Sequence, residues 1–566
     1  MATGGYCLPK TTNILKLQDF NDSQAEQIFN SWNKPCKGLS SSFINLSRES
    51  DEQYESKNSK SFNNSTLSLH IAAYENSIEA INNSDGVEKK VSKSKSEEPE
   101  LLKKWGTLKH VFADSSSKFQ NPFEFPRQQT DDQSIDSGVM QFKASQKLLN
   151  PNQLASAEGD LSFNILARCN RAREGVFRLP HGDVMTPIFM PVGTQGTIKG
   201  LCPRQVEETG CRILLCNTYH LGHRPGHEIV DKAGGIHKMM DWKYNILTDS
   251  GGFQMVSLDS MMKVDEEGVN FRSPHNGEQM HLTPEHSINI QQALGSDIMM
   301  QLDHVVSSVS DDSDFKEPME RSIRWLDRCD KVHNNRKKQI LFPIIQGGLN
   351  FELRKECIDK MVPYAKYGIA IGGLSGGEEK EGFWKTVDFC CKHLPENLPK
   401  YVMGVGWQTD MVLCALSGAD MFDCVYPTRT ARFGTALVFE NASNGELHIN
   451  RQIYKDDFRP VEEDCTCRTC KKYTRAFIHA SIGKEAVACH LLTVHNIHHQ
   501  LELMKRLRKA INLKNVGEFL KNFIDGQFSG VEKCPAWAKM AIKELGYGPD
   551  VFETSKPEKS PATNGA

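Results

Sequence analysis

The chain has 566 residues, with 68 Lys and Arg against 71 Asp and Glu. That length exceeds one small domain and suits a barrel with attachments. A net charge of −3 excludes a global field that would gather nucleic acid, no apolar run of 18 residues offers a membrane span, and the N-terminus MATGGYCLPK lacks the apolar centre of a secretory signal.

The 17 cysteines form no compact framework, and Cys216, Cys414 and Cys424 sit inside apolar runs. That is the pattern of reduced, buried thiols in a cytosolic protein. Residues 1–155 are rich in Ser, Asn, Lys and Glu, and 39–65 are typical. Such composition buries too little apolar surface to offset chain entropy, so this extension is expected to be disordered.

From Leu161 onward the pattern changes. Eight apolar runs follow one another, each ending in polar or glycine-rich residues: TPIFMPVGTQG (186–196), ILLCNTYH (213–220), ILTDSGGFQ (246–254), DIMMQLDHV (297–305), LFPIIQGG (341–348), GIAIGGLSGG (368–377), YVMGVG (401–406) and MFDCVYPTR (421–429). A continuous apolar run reads as a strand buried on both faces. Helices are predicted between them over 283–295, 314–337, 351–364, 382–393 and 408–417. The first of these has a Thr cap, Pro in its first turn and a Gly stop. Alternating strand and helix indicates a parallel sheet. Eight units favour an irregular (β/α)8 TIM barrel of the α/β class over an open doubly wound sheet. Polar tails at the strand C-termini then mark the active face.

After Arg429 the pattern breaks into a predicted hairpin with Asn444-Gly445 at its turn. Helices are predicted over 497–513 and 516–525. The organisation expected is a polar extension (1–155), a barrel body (161–530) with an inserted metal-binding subdomain at about 440–500, and a C-terminal segment (531–566) with a disordered tail.

Cys465, Cys467 and Cys470 form C-x-C-x-x-C. Three thiolates this close are costly to hold together without a cation, and a structural Cys3His zinc site is expected. The fourth ligand is open among His479, Cys489, His490, His495, His498 and His499.

Asp249, Asp303 and Asp423 end three different runs and would share one barrel mouth. Singly, each could cap a helix or pair with a cation. Together, beside Ser250-Gly251-Gly252, Gln346-Gly347-Gly348 and Gly372-Gly373, they describe a polar pocket. Asp, Gln and bare peptide groups suit the edge of a purine-like base. Phe253 and Met403 could cover its faces.

TDSGGFQ, LDHVVS, IIQGG, IGGLSGGE, MGVG and FDCVYPTRTARFG, followed by C-x-C-x-x-C and VHNIH, resemble the tRNA-guanine transglycosylases, in their eukaryotic form, over about 161–530. The resemblance implies a barrel enzyme that replaces guanine at wobble position 34 of tRNAs with GUN anticodons (the Asp, Asn, His and Tyr type). It implies Asp423 as nucleophile and Asp249 as general acid/base. Base binding falls to Asp249, Ser250, Asp303, Gln346, Gly373 and Leu374, with Phe253 and Met403 stacking. Zinc falls to Cys465, Cys467, Cys470 and His495. Arg429, Arg432, Arg468, Lys471 and Lys472 are expected to meet RNA. Gly376, where bacterial relatives carry a branched residue, suggests room for queuine. The resemblance further implies a heterodimer with a non-catalytic paralogous subunit. It implies a cytoplasmic enzyme with peripheral association at the mitochondrial outer membrane. The rival readings are that non-catalytic, zinc-containing partner itself and a tRNA-binding adaptor. The two retained carboxylates argue against the first.

Overall fold

A computed structural model describes residues 161–252, 262–273, 277–308, 310, 312–439 and 444–552. The predicted extension 1–155, the C-terminal tail and Phe253 lie outside the described residues.

All eight apolar runs are strands. Ahead of them, β1 (Ser162–Cys169), β2 (Ala172–Leu179) and β3 (Gly182–Thr186) form an antiparallel sheet. The barrel opens with β4 (Ile188–Gly193), β5 (Ile213–Cys216) and β6 (Asn245–Thr248). A small antiparallel excursion follows: β7 (Lys263–Val264), β8 (Val269–Arg272) and β9 (Gln279–Leu282). The barrel resumes with β10 (Ile298–Met300), β11 (Ile340–Phe342), β12 (Ile344–Ile345), β13 (Ile369–Ile371), β14 (Lys400–Val402) and β15 (Met421–Cys424).

These nine strands are parallel in the order β11-β10-β6-β5-β4-β15-β14-β13-β12. The two ends of that order, β11 and β12, are one stave broken at Pro343, which has no N–H to give to a ladder. Its first half pairs with β10 and its second with β13. The sheet therefore closes on itself as eight staves, and an open doubly wound sheet is excluded. Burial on both faces explains the continuous apolar runs: β4, β5, β6 and β10 are buried at every residue.

The β1–β3 sheet closes the N-terminal end. Phe177 packs against Phe342 with ring centroids 6.3 Å apart. Arg173 is buried there. Its Nε donates to Asp420 Oδ1 at 3.0 Å, and its Nη1 and Nη2 donate to the carbonyls of Glu396 and Leu398 at 2.6 and 2.7 Å. Ahead of β10, Asp297 takes His181 Nδ1 at 2.6 Å, His237 Nε2 at 3.1 Å and the Ile246 N–H at 2.8 Å. The two imidazoles lie 3.8 Å apart and nearly parallel. Parallel rings cannot both aim an in-plane lone pair at one ion, so this trio is a hydrogen-bonded latch on the floor rather than a metal site.

The predicted helices appear with small shifts. Pro284–Leu294 starts on Thr283, whose Oγ1 accepts from His286 N at 3.1 Å, and stops at Gly295 with φ 72°. The helix expected over 314–337 spans Lys316–Val332. It ends early because the chain turns extended at His333 and Gln292 Oε1 takes the Asn334 N–H at 2.8 Å. The hairpin is β16 (Thr435–Leu437) against β17 (Glu446–His448), with Asn444 and Gly445 both left-handed. Its connection is wider than two residues, since Leu437 faces Glu446.

A helix from Ala486 to Asn512 starts well before the expected Ile497, because the His-rich stretch read for ligands is itself helical. Packing continues past residue 530. The helix Ala536–Glu544 sinks Ala538, Ala541 and Ile542 into the same apolar cluster as Leu507 and Leu520. Among the described residues, no helix is long and apolar enough to cross a membrane.

Candidate active site and metal centre

The C-terminal ends of the staves form one mouth. Asp249 follows β6, Asp303 lies just beyond β10, Gln346 follows β12, Gly372 to Leu374 follow β13, Met403 follows β14, and Asp423 is the third residue of β15.

Asp423 is half-buried. Its Oδ1 accepts from Tyr401 Oη at 2.5 Å and from the Gly404 N–H at 2.8 Å. Burial still raises its pKa, with the two donors pulling the other way. Tyr401 is fully buried, and its pKa lies far above the ordinary phenol value. Burial is the first cause, followed by the charges of Asp423 and then Asp249. One phenol thus feels both carboxylates. Asp249 is buried. Its Oδ1 accepts from the Thr218 N–H at 2.9 Å, Asn217 Nδ2 donates to its Oδ2, and Thr218 Oγ1 donates to its carbonyl at 2.5 Å. The end of β5 therefore clamps the end of β6.

Asp303 is 3% exposed. Ser250 Oγ donates to its Oδ1 at 2.8 Å, and Gln346 Nε2 donates to its Oδ2 at 2.7 Å. Burial pushes its pKa up to about 6, although both donors favour the charged form. The glycines let these groups meet. A Cβ at Gly373, which has φ +66°, would lie 2.2 Å from Gln346 Oε1. One at Gly372 would lie 2.5 Å from Ile344 Cγ2 and 3.4 Å from Met403 Sδ. Asp303, Ser250, Gln346, Gly373 and Met403 are thus brought together as expected. Phe253 lies outside the described residues. At Gly376 the geometry adds a reason the sequence did not supply: a Cβ there would lie 2.6 Å from Ser308 Oγ. The absent side chain serves loop packing as well as any pocket volume.

The Asp303 shift has a consequence for stability. Its pKa rises from an ordinary 3.8 to about 6 on folding. The folded state therefore holds the proton more tightly. The contribution is complete below about pH 4 and is lost as pH climbs through about 6, a total of roughly 3 kcal/mol. Urea unfolding at stepped pH should show this decline between pH 4 and 6 in the native chain and a flatter profile in Asp303→Asn. Equal slopes would refute the assignment.

Tyr401, Asn217 and Thr218 were not singled out from sequence. Each lies inside a recognised run, YVMGVG or ILLCNTYH, so the available signal was a polar group at a strand end.

Four of the candidate metal ligands come together in space. The Sγ atoms of Cys465, Cys467 and Cys470 lie 3.6, 3.6 and 3.3 Å from His495 Nδ1. Tetrahedral zinc with Zn–S and Zn–N bonds of about 2.3 and 2.0 Å would separate S and N by about 3.5 Å. His495 Nε2 bonds the Leu437 carbonyl at 2.7 Å, which reserves Nδ1 for a metal. The rival candidates are otherwise placed: His479 meets the Ile449 carbonyl, His498 meets Thr466, and His499 stacks on Phe439. This cluster could hold a metal ion.

The basic residues fall in two groups. Arg429 and Arg432 lie on the helix Tyr426–Arg432, directly after β15. Arg432 Nη1 donates to the Thr428 carbonyl at 3.1 Å. Arg468, Lys471 and Lys472 lie on the metal module's short helix, exposed. Arg468 pairs with Glu208 at 3.5 Å, a surface contact of little energetic weight.

A closed parallel barrel with carboxylates at its mouth and a Cys3His cluster able to hold a metal defines a barrel enzyme with a separate candidate metal site. A sequence model of the queuine tRNA-ribosyltransferase family matches residues 169–529, and the chain belongs to that family. It is 58% identical over 400 residues to the queuine tRNA-ribosyltransferase catalytic subunit of Caenorhabditis elegans, covering 68% of this chain and 99% of that protein. Against the catalytic subunit of Schizosaccharomyces pombe it is 48% identical over 400 residues, covering 69% and 98%. Against the queuine tRNA-ribosyltransferase of Thermoanaerobacter sp. it is 48% identical over 366 residues, covering 64% and 96%.

Proposed function

We propose that this chain is a pentosyltransferase that exchanges guanine at wobble position 34 of GUN-anticodon tRNAs for queuine by double displacement. The observation that carries the reading is the pair Asp249 and Asp423 at the C-terminal ends of β6 and β15 on one barrel mouth, with Tyr401 Oη donating to Asp423 at 2.5 Å. The names of its relatives agree with it.

Asp423 acts as nucleophile. Its carboxylate oxygen bonds to C1′ as the bond from C1′ to guanine breaks, giving a ribosyl ester. Asp249 protonates the departing base, then takes a proton from the incoming base as that base displaces the ester. Two inversions retain the β-configuration. Asp303, Gln346, Gly373 and Leu374 read the base edge, Ser250 steadies Asp303, and Met403 covers one face with Phe253 opposite. The target nucleotide must leave the anticodon stack to enter the mouth. Arg429, Arg432, Arg468, Lys471 and Lys472 hold the RNA backbone.

Zinc at Cys465, Cys467, Cys470 and His495 is structural, since all four positions are filled by protein. Residues 161–530 form the catalytic body, with the zinc module at about 440–500. The working enzyme is a heterodimer with a non-catalytic paralogous subunit, cytoplasmic and peripheral at the mitochondrial outer membrane.

The test is mass spectrometry of unmodified tRNA after incubation with the protein, a candidate partner subunit and labelled bases. Incorporation of queuine at position 34 is expected. Preference for the smaller aminomethyl-deazaguanine would reject the substrate, and no exchange of any base would reject the activity.

A further inference from the structure

Arg354, on the helix Phe351–Met361, has no exposed surface. Its Nε donates to the Gly348 carbonyl at 2.9 Å. Its Nη1 donates to the carbonyls of Ile345 at 2.7 Å and Gly372 at 2.8 Å. Nη2 is buried without a hydrogen-bond partner, 3.7 Å from where a Cβ of Gly373 would stand. None of these partners is a carboxylate. A buried cation satisfied only by neutral carbonyls is expensive to desolvate.

The three carbonyls belong to the two glycine turns that frame Gln346. Gly348 is left-handed at φ +57°, and a Cβ on Gly347 would meet Arg354 N at 2.9 Å. Within a trans peptide the C=O and the next N–H point in opposite directions. Drawing the Gly372 carbonyl onto the guanidinium therefore turns the Gly373 N–H away from it. On that other side lies Gln346, whose Oε1 would sit 2.2 Å from a Gly373 Cβ, with Met403 beside Gly372.

We propose that Arg354 is a positioning residue for base recognition. It holds the carbonyls of Ile345, Gly348 and Gly372 on the helix side, so that the turn after β13 presents N–H rather than C=O to the bound base. The site then selects bases with an acceptor oxygen on the edge that meets Gly373. The guanidinium charge behind the turn, with no carboxylate hydrogen-bonded to it, polarises those peptides in the same sense. A neutral side chain could tie the turns together, but it would not supply that field.

This rests on the exchange activity proposed above, so the experiment measures the native chain first. With the partner subunit and tRNA present, labelled guanine and its 6-amino counterpart, 2,6-diaminopurine, are compared as incoming bases. Native chain that exchanges neither rejects the activity, independently of Arg354. If it exchanges guanine, Arg354→Met is expected to raise the KM for guanine at least tenfold while the KM for tRNA stays within twofold. It should also cut the preference for guanine over diaminopurine by at least fivefold. Arg354→Lys, which keeps the charge, should recover part of that preference. A merely structural role would lower kcat for both bases alike and leave their ratio unchanged, and that result overturns the proposal. If Arg354→Met does not fold, Arg354→Lys decides: a changed base ratio supports the proposal and an unchanged ratio overturns it.

Discussion

Asp423→Asn should lose base exchange by about 10^4-fold or more, with tRNA binding nearly intact. The substitution is nearly isosteric. An amide oxygen still accepts from Tyr401 Oη and the Gly404 N–H, which hold the native Oδ1 at 2.5 and 2.8 Å. The loop after β14 therefore keeps its shape, and the loss falls on chemistry. A neutral amide cannot form the ester to C1′ that splits one difficult displacement into two. Native chain incubated with tRNA and quenched in denaturant should carry covalent RNA on a gel, and Asp423→Asn should carry none. Adduct on the Asn variant would place the nucleophile elsewhere. The pH profile supplies a second reading. Burial raises the Asp423 pKa, so the fraction of carboxylate falls sooner on acidification than for an exposed Asp. Exchange should fail on the acid side before the protein unfolds.

Much of this site was legible because barrel strands write themselves into sequence. A stave buried on both faces is an uninterrupted apolar run, and its chemistry sits where the run ends. Asp249, Asp303 and Asp423 could be placed on one mouth by that logic alone. The stave split at Pro343 was also readable, as one run LFPII. What the sequence hid lies in contacts across turns. Tyr401 lies in an apolar run like any core aromatic, and only Asp423 on the neighbouring strand β15 gives its hydroxyl a use. Arg354 falls in the helix predicted over 351–364, and nothing in its spacing marks it as buried. Its burial depends on the Gly347 backbone approaching its N–H, which no periodicity encodes. The β1–β3 sheet was hidden for a different reason. It covers the barrel floor with one face, so its residues alternate and lack the continuous signature. The metal ligands divide in the same way. Three cysteines announced themselves by spacing, whereas spacing alone left the fourth ligand open and only the family resemblance pointed to His495; the Leu437 carbonyl at its other nitrogen supplies the physical reason.

Cys470→Ser should release the zinc and unfold the module around it while the barrel stays closed. Structural zinc in small modules is worth about 10–16 kcal/mol at neutral pH, comparable with the total stability of a typical domain. The apolar cluster beside the ligands is small: Val438, Leu447, Ile449, Val461, Ile478 and Leu492 are among its main members. A cluster of that size cannot replace the metal. The barrel has its own core and should survive. The damage should nevertheless reach the catalytic mouth through the helix Ala486–Asn512. One turn of that helix carries both His495 and Asn496. Asn496 Nδ2 donates to the carbonyls of Pro427 and Thr435 at 3.0 Å each, and its Oδ1 takes the Leu437 N–H at 2.9 Å. Pro427 opens the helix that follows Asp423. Loss of the ion should thus give three linked results: about one zinc fewer per chain by elemental analysis, new protease cuts within 444–485, and reduced exchange with tRNA. Cys414→Ser, a buried thiol on a barrel helix away from the ligand set, should keep its zinc and its protease resistance. A Cys470→Ser protein with full zinc content and an unchanged digestion pattern would remove the metal from the architecture.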